Sequence, residues 1–361
     1  MRLEELDYEF PRELIAQHPV EPRDSCRLMV VARSGSVRHQ VFSDLPGLLS
    51  AGDVLVLNDS RVLKARLLTR RETGGEVELL FLRPLNGGGI WEVLARPSRR
   101  LRIGSSLRPL GGGGLELLEN LGEGRWAVRS TTASQPILQV LDAQGLVPLP
   151  PYIGGTGVMP ETYQTVYAAE PGSAAAPTAG LHFTPDLLGR LRRARVEVAF
   201  VTLHVGLDTF RPISTPLVEE HAIHTEVYSV SPDAVQAFNL ARVEGRRLIA
   251  VGTTSARVLE TIYRDGEAGG KGSPGRREGA TNLFITPGHR FQAVDGLITN
   301  FHLPRTSLLA LVMAFAGVDT IRAAYAEAVA HRYRFFSFGD AMLLEGSPSG
   351  RPRAGVESRV A

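Results

Sequence analysis

The texture of the sequence changes between Lys64 and Ser130, and this change constrains the fold more than any other feature. Short runs of alternating apolar and polar residues follow one another there, separated by glycine-rich turns such as 73–75 and 87–89. Closely spaced strands with turn signals are typical of a small antiparallel barrel or sandwich. We therefore predict a compact β module within the chain.

The chain after this module alternates between strand-like and helix-like segments. Residues 185–194 predict a helix, the apolar run 196–203 predicts a strand, and the pair Ser231-Pro232 is typical of a helix start. Alternating β and α elements favour a layered α/β domain. The predicted fold class is thus α/β, with one layered α/β domain that has a mixed sheet, plus an inserted small antiparallel β-barrel domain.

Domain limits follow from the same texture. We predict that residues 1–63 form the first part of the α/β domain, 64–150 the basic barrel, and 151–361 the second part, which carries most site motifs. Pro11 predicts a helix over 11–17, because proline is favoured in a first helical turn. The low apolar content of 264–280 predicts a mobile loop.

Composition narrows the class of protein. The 361 residues are 43% hydrophobic and 22% charged, which is ordinary for a folded domain with a core. No apolar run reaches the length of a membrane span, the first seven residues are acidic, and the single cysteine, Cys26, excludes an internal disulfide. We expect a cytoplasmic monomer without a membrane partner. The absence of dinucleotide, phosphate-loop and G-x-S-x-G motifs argues against a dehydrogenase, a nucleoside triphosphatase and an α/β-hydrolase.

Charge is uneven along the chain. The formal net charge is only +2, but the segment from Arg61 to Arg108 contains eleven lysines and arginines and four glutamates. A local basic field is what a phosphate backbone requires. A solvated arginine-rich surface is the alternative, and charge alone does not decide between the two.

Four of the nine histidines, His182, His204, His221 and His224, fall within 43 residues in polar or glycine-rich phrases. Histidine titrates near neutrality and binds metals, so the cluster indicates proton transfer or metal chemistry, unless its members only hydrogen-bond loop backbone. The spacing of His221, His224 and Glu226 does not let three ligands converge on a helix or a strand, and we predict no metal site. Glu226 then suits an orienting carboxylate or a proton acceptor.

Other polar motifs follow apolar strands. Residues 58–61 (Asn-Asp-Ser-Arg) and 252–255 (Gly-Thr-Thr-Ser) each follow a strand-like run, where ligands of α/β sheets bind. Each is equally compatible with a turn or a helix cap. The phrases 299–307 and 333–340 combine aromatic rings with arginine, which suits base stacking or core packing.

Nine ordered phrases together resemble one family, the S-adenosylmethionine:tRNA ribosyltransferase-isomerases of queuosine biosynthesis. They lie at 10–17, 23–27, 52–61, 177–184, 203–206, 221–226, 251–255, 299–304 and 333–342. One departure is Asp208, where the family pattern Gly-x-Gly-Thr-Phe has glycine; aspartate tolerates left-handed backbone better than most residues.

This resemblance implies that the ribosyl moiety of S-adenosylmethionine is transferred to 7-aminomethyl-7-deazaguanine at the wobble position of tRNA with a GUN anticodon. Rearrangement gives epoxyqueuosine, and adenine and methionine leave. S-adenosylmethionine is then a consumed substrate, and no cofactor is bound permanently. A base must stand near the 5′ carbon, which the sulfonium acidifies, and an acid near the departing adenine.

Site residues follow from motif position and this chemistry. We expect His182 and His204 to serve in acid–base steps, with Glu226 and Asp59 as carboxylate partners. The expected substrate-binding residues are Asn58, Arg61, Thr178, Gly180, His221, His224, Thr253, Thr254, Ser255, Asn300, His302 and Arg305. The expected tRNA-binding residues are Arg96, Arg99, Arg100 and Arg102. Two other functions stay open: a metal-dependent hydrolase that uses the histidines from His182 to His224, and a noncatalytic RNA-binding protein.

Overall fold

A computed structural model describes residues 1–85, 89–132, 136–150, 152–154, 160–206, 212–266, 275 and 277–346. These residues form a nine-stranded sheet, a closed barrel and a two-stranded sheet. Their α-helices are α1 (Leu45–Leu48), α2 (Ile137–Gln144), α3 (Pro185–Arg193), α4 (Pro232–Val243), α5 (Gly252–Gly266), α6 (Ser307–Ala316) and α7 (Val318–Ala330). Their strands are β1 (Arg27–Val31), β2 (Val37–Val41), β3 (Val54–Asn58), β4 (Ser60–Val62), β5 (Arg66–Arg71), β6 (Glu76–Leu85), β7 (Ile90–Arg96), β8 (Ser106–Pro109), β9 (Leu115–Gly122), β10 (Arg125–Ser130), β11 (Glu170–Ser173), β12 (Glu197–Leu203), β13 (Glu226–Ser229), β14 (Leu248–Val251), β15 (Glu278–Thr281), β16 (Gly296–Asn300) and β17 (Ala341–Glu345).

The nine-stranded sheet is the framework of the α/β domain. Its order is β15-β13-β12-β3-β14-β16-β17-β1-β2. The four neighbouring strands β12, β3, β14 and β16 are parallel, whereas β16 pairs antiparallel with β17 and β12 antiparallel with β13. The carboxyl ends of the four parallel strands therefore meet at one edge of the sheet.

The central strands are buried because helices cover both faces of the sheet. Every residue of β3 and β16 is buried, as expected for strands that are packed on both sides. Residues of α4 to α7 pack against one face of the sheet in the largest hydrophobic cluster, and residues of α3 pack against the other face. This packing fixes the strand ends rigidly, which is what a site built on them needs.

The barrel is a separate hydrophobic unit. Its strand order is β10-β7-β6-β5-β8-β9, and the pairing of β9 with β10 closes it. Burial alternates along β5, as it does in a barrel whose strands point alternate side chains inward. Apolar residues of α2 pack onto this interior. The predicted mixed-sheet α/β fold with an inserted antiparallel barrel is confirmed, while the exact division at residues 63/64 and 150/151 stays a prediction.

One local prediction is wrong, and another is wrong only at its ends. The segment 11–17 forms only a single 3-10 turn at Arg12–Leu14, because Ile15 and Ala16 instead pair with Phe335 of the main domain. The predicted loop 264–280 begins inside α5 and ends inside β15, although 267–274 and 276 lie outside the described residues.

Among the residues that the structure describes, no single helix is long and apolar enough to cross a membrane. Only α6 and α7 taken together meet the length and composition criteria, and they are bent by 112° at Gly317.

Candidate active site

Polar residues gather at the carboxyl edge of the four parallel strands. Asn58 ends β3, His204 follows β12, Gly252 follows β14, and Asn300 ends β16. The 3-10 turn Thr178–His182 contacts both β16 and α5. The strand-end motifs that the sequence singled out therefore lie along one edge, where α/β sheets bind their ligands.

Asn58 joins two of these strand ends. Its side-chain amide donates to the carbonyl of Leu203 at 3.0 Å and accepts from the Leu203 N–H at 3.0 Å. Its carbonyl oxygen also accepts from the Ser60 N–H at 3.1 Å, and the residue is fully buried. Asn58 thus fixes β3 to β12, and this geometry suits positioning better than direct substrate contact.

His204 is half-buried with a free ring nitrogen. In the described part of the chain, its buried Nδ1 has no hydrogen-bond partner. Burial lowers the pKa of His204, and the charge of Glu170 partly offsets this effect. The ring lies against Gly172, whose φ is +149°, and a Cβ there would lie 2.7 Å from the ring. The imidazole therefore favours its neutral form and is closely packed on one side, with Nδ1 buried and without a partner among the described residues.

Asp59 lies at the wall of an open cleft of about 780 Å³ that also contacts Glu170, Thr202 and Arg277. Its carboxylate accepts a hydrogen bond of 2.7 Å from the Thr202 hydroxyl. Burial raises the pKa of Asp59 above its ordinary value, and Glu170 adds to the rise, although the Thr202 hydroxyl opposes it. The pKa of Asp59 is thus raised and that of His204 lowered, so at neutral pH the two groups differ in charge, as an acid–base pair requires.

Glu226 forms a buried charge network. Its carboxylate accepts from the Gly206 N–H at 2.8 Å, contacts His224 Nε2 at 2.9 Å, and pairs with the Arg257 guanidinium. Burial alone would raise the pKa of Glu226, but the His224 hydrogen bond and the Arg257 charge outweigh it and hold the pKa at about 2. Glu226 is therefore a permanent anion, which suits an orienting role rather than that of a proton acceptor.

His182 is enclosed. Its Nε2 accepts from the Asn300 side-chain amide at 2.9 Å, its Nδ1 lies 3.3 Å from Cys26 Sγ, and the residue is only 4% exposed. Burial, together with the charges of Arg23 and Arg334, lowers its pKa to about 3. Both ring nitrogens are engaged, so the geometry suits a residue that holds Asn300 in place better than one that exchanges protons with a substrate.

The turn from β14 into α5 presents unsatisfied hydroxyls. Gly252 adopts φ +84°, which lets the chain enter the helix directly after the strand. Thr253, Thr254 and Ser255 are buried, and neither the Thr254 nor the Ser255 hydroxyl has a partner within the ranges that the structure describes. Donors at a helix N-terminus suit an anionic or hydroxyl group of a ligand.

The neighbouring 3-10 turn carries Thr178 and Gly180. Gly180 packs directly against Tyr167, since a Cβ would lie 1.9 Å from the tyrosine hydroxyl oxygen. Thr178 is partly exposed and lines a small cavity of about 30 Å³ with Asn300 and His302. His302 is buried, its Nε2 lies 2.7 Å from the Thr299 hydroxyl, and burial lowers its pKa to about 3.

Three other predicted binding residues lie nearer the surface. Arg305 has φ +57° and its guanidinium is paired with Asp7, so that pair must open before Arg305 binds a carboxylate. Arg61 is exposed on β4. His221 is half-buried, with its ring edge-on to Phe284 at 5.8 Å. The departure at Asp208 lies outside the described residues.

The barrel arginines divide into two sets. Ion pairs hold some of them on the strands: Arg66 with Glu78, Arg70 with Glu76, Arg83 with Glu92 and Arg129 with Glu116. The four predicted tRNA-binding residues, Arg96, Arg99, Arg100 and Arg102, are all exposed, and none has an ion pair with any residue whose structure is described. They lie in and beside the loop between β7 and β8, and this loop forms a basic surface of the barrel that is available for binding.

Sequence reasoning missed Arg257, Gly172 and Glu170. Arg257 lies two residues beyond the predicted 252–255 motif, and one charged residue in a helix carries no signal of burial. Gly172 and Glu170 lie on β11, which pairs with β4 rather than with the main sheet. Their proximity to His204 and Asp59 depends on that tertiary pairing, which no local pattern predicts.

Comparison with known proteins relates the chain to one family. A family model described as queuosine biosynthesis protein matches residues 3–344. The S-adenosylmethionine:tRNA ribosyltransferase-isomerase of Rubrobacter xylanophilus is 53% identical, with 96% of this chain and 98% of the relative covered. The enzyme of the same name from Desulfitobacterium hafniense is 51% identical, with coverage of 95% and 100%.

A solved structure shares both fold and sequence. The crystal structure of S-adenosylmethionine tRNA ribosyltransferase from Thermotoga maritima superposes with a TM-score of 0.53 at 38% identity, and it covers 94% of this chain and 99% of that chain. The resemblance seen in the sequence phrases is confirmed. The chain belongs to the S-adenosylmethionine:tRNA ribosyltransferase-isomerase family of queuosine biosynthesis.

Proposed function

We propose that this chain transfers and isomerises the ribosyl moiety of S-adenosylmethionine onto 7-aminomethyl-7-deazaguanine at the wobble position of tRNA, giving epoxyqueuosine and releasing adenine and methionine. The observation that carries the proposal is identity of about half of all positions over nearly the whole length of enzymes with that activity in their name. Release of adenine from S-adenosylmethionine in the presence of modified tRNA tests it directly.

Proton transfer in this reaction is assigned to His204 and Asp59. The sulfonium acidifies the 5′ carbon of the ribosyl group, so a base must remove that proton, and departing adenine must receive one. His204 and Asp59 are the partly accessible titratable groups of the predicted catalytic set, and their pKa values shift towards each other. One acts as base and the other as acid, each within the partly accessible set at the carboxyl edge of the sheet.

His182 and Glu226 are assigned to positioning. His182 holds Asn300 at the end of β16, and Glu226 holds the Gly206 N–H beyond the end of β12. The unsatisfied hydroxyls of Thr254 and Ser255 would bind ribosyl hydroxyls or the methionine carboxylate. Arg61 and Arg305 are the candidates for the carboxylate or for tRNA phosphate.

A metal-dependent hydrolase is the less favoured function. Glu226 is already paired with Arg257, and a guanidinium at that carboxylate repels a metal ion. Within the described residues, none of the histidines from His182 to His224 belongs to a group of three potential metal ligands. The names of the relatives also favour an enzyme over a noncatalytic RNA-binding protein.

Finer features stay predictions. We propose that the tRNA has a GUN anticodon, that the chain acts as a cytoplasmic monomer, and that S-adenosylmethionine is consumed while the active site keeps no cofactor. Because tRNA is a cytoplasmic substrate, the proposed reaction supports this location. Comparison of tRNAs with different anticodons tests the anticodon prediction, and sedimentation analysis tests the monomeric state.

The basic loop gives a prediction about tRNA binding. Changing Arg96, Arg99, Arg100 and Arg102 to alanine together is expected to weaken tRNA binding and flatten its dependence on salt concentration. Each lost phosphate contact lowers the slope of log K against log salt by roughly 0.9. Binding measured at several salt concentrations gives this slope.

The matched control removes the same charge from the ion-paired arginines, Arg66, Arg70, Arg83 and Arg129. Because glutamates already neutralise these side chains, the slope is expected to change less than in the loop variant. The salt dependence could instead stay unchanged in the loop variant and become weaker in the control. That result would show that tRNA binds where the ion-paired arginines lie.

A further inference from the structure

A second group of titratable side chains includes none of the residues of the candidate active site. His39 belongs to the edge strand β2, Glu327 to the last turn of α7, and His331 follows that helix directly. One potential ligand atom from each residue lies within 4.8 Å of the other two. His39 and Glu327 are 288 positions apart in the chain, so only the tertiary fold brings them together.

The two imidazoles are oriented by contacts at Nδ1. His39 Nδ1 lies 2.7 Å from the Tyr333 hydroxyl, and His331 Nδ1 lies 3.0 Å from the backbone carbonyl of Glu327. An oxygen partner at one ring nitrogen fixes the ring and leaves the other nitrogen as the ligand atom, as in most protein metal sites. Nε2 is therefore the donor that each histidine offers.

The distances suit a small transition-metal ion. His39 Nε2 is 3.0 Å from Glu327 Oε1. Two ligands on a tetrahedral ion with bonds of about 2.0–2.1 Å are separated by roughly 3.3 Å, so this pair already has nearly the required spacing. The two imidazole rings have centroids 4.6 Å apart, and rotation of exposed side chains can bring the third ligand into place.

We propose that His39, Glu327 and His331 form a binding site for a borderline divalent transition-metal ion of the Zn²⁺ class. Two imidazoles and one carboxylate suit such ions, whereas Mg²⁺ and Ca²⁺ prefer oxygen ligands alone. Both histidines are exposed, so water completes the coordination. The bound ion links the edge strand β2 to the end of α7.

Neighbouring charges permit this site. The guanidinium of Arg27 lies 4.2 Å from the centre of the Tyr333 ring, but the buried carboxylate of Asp340 pairs with it at 2.9 Å. The positive charge of Arg27 is therefore largely neutralised. The proposed site is also distinct from His221, His224 and Glu226, where the residue spacing and the pairing with Arg257 argue against a metal ion.

Calorimetric titration of untagged, chelator-treated and dialysed protein with Zn²⁺ tests the proposal. We expect one ion per chain. His331→Ala and Glu327→Gln each remove a direct ligand and are expected to weaken binding by more than the roughly 10- to 100-fold that loss of an outer-shell partner costs. His18→Ala, which removes an exposed histidine outside the group, is expected to bind like the wild type.

The absorption spectrum of the Co²⁺-loaded wild type gives a second measurement that does not depend on the variants. Ligand-field bands are expected that disappear on addition of Zn²⁺. No saturable binding of Zn²⁺ to the wild type would overturn the proposal. Equal stoichiometry and affinity in the wild type and folded His331→Ala would overturn it as well.

Discussion

Replacing His204 with alanine is expected to slow adenine release by about 10²- to 10⁴-fold, the usual contribution of a general acid or base. The reason is its position: it follows β12 at the carboxyl edge, it is half-buried, and its Nδ1 has no partner among the residues placed by the structure. Since the ring makes no hydrogen bond to a described residue and is closely packed on one side only, its removal is expected to lower the unfolding temperature only slightly. Single-turnover adenine release and thermal unfolding measure the two effects.

Two further histidine variants make this prediction specific. His182→Ala removes contacts to Asn300 and Cys26 from a buried ring, and we expect it to lower the free energy of unfolding by about 1–3 kcal/mol as well as activity. His18→Ala is expected to change neither. Near-normal turnover of folded His204→Ala would exclude the proposed proton-transfer role.

Replacing Glu226 with glutamine is expected to lower the free energy of unfolding by about 3–5 kcal/mol, because Arg257 is left as a buried charge without its counter-ion. Both side chains are less than 10% exposed, at 8% for Arg257 and 1% for Glu226. Denaturant unfolding at neutral pH measures the change. Glu219→Gln is the control, since its carboxylate is 48% exposed and pairs only at the surface with the amino terminus. That variant is expected to lose less than about 1 kcal/mol.

The same carboxylate predicts a pH dependence. Its folded-state pKa of about 2 lies below the ordinary value of 4.5, so the ionised form favours the folded state. The difference corresponds to about 3 kcal/mol, which is fully present above the unfolded-state pKa and is lost as pH falls through the folded-state pKa. The wild type is therefore expected to lose more stability than Glu226→Gln between about pH 5 and pH 2. Parallel curves for the two proteins would contradict the assigned charge network.

The fold was largely predictable because its two parts have different local patterns. Alternation with glycine-rich turns indicated the barrel, and strand–helix alternation indicated the layered domain. The prediction failed at 11–17, where pairing of Ile15 and Ala16 with Phe335 outweighs local helix preference. A partner more than 300 residues away leaves no local signal.

The candidate site was predictable in its location but less so in its roles. Motifs after strand-like runs placed Asn58, His204 and Gly252 at one edge, because the carboxyl ends of parallel strands coincide, whereas Asn300 was not predicted to end a strand. Roles depend on partners, and the contact of Asn300 with His182 and the pairing of Glu226 with Arg257 exist only in the folded chain. His182 and Glu226 therefore suit positioning, whereas the sequence and its resemblance indicated an acid–base role for His182 and an orienting or proton-accepting role for Glu226.

Adenine release from S-adenosylmethionine by the wild-type chain tests the central claim most directly. The assay compares tRNA that carries 7-aminomethyl-7-deazaguanine at the wobble position with the same tRNA carrying guanine, each with and without chelator. The predicted result is one adenine and one methionine released per modified tRNA, unaffected by chelator, and no release with the guanine form. Absence of adenine release with the modified tRNA, or equal release with both tRNAs, would contradict the proposed function.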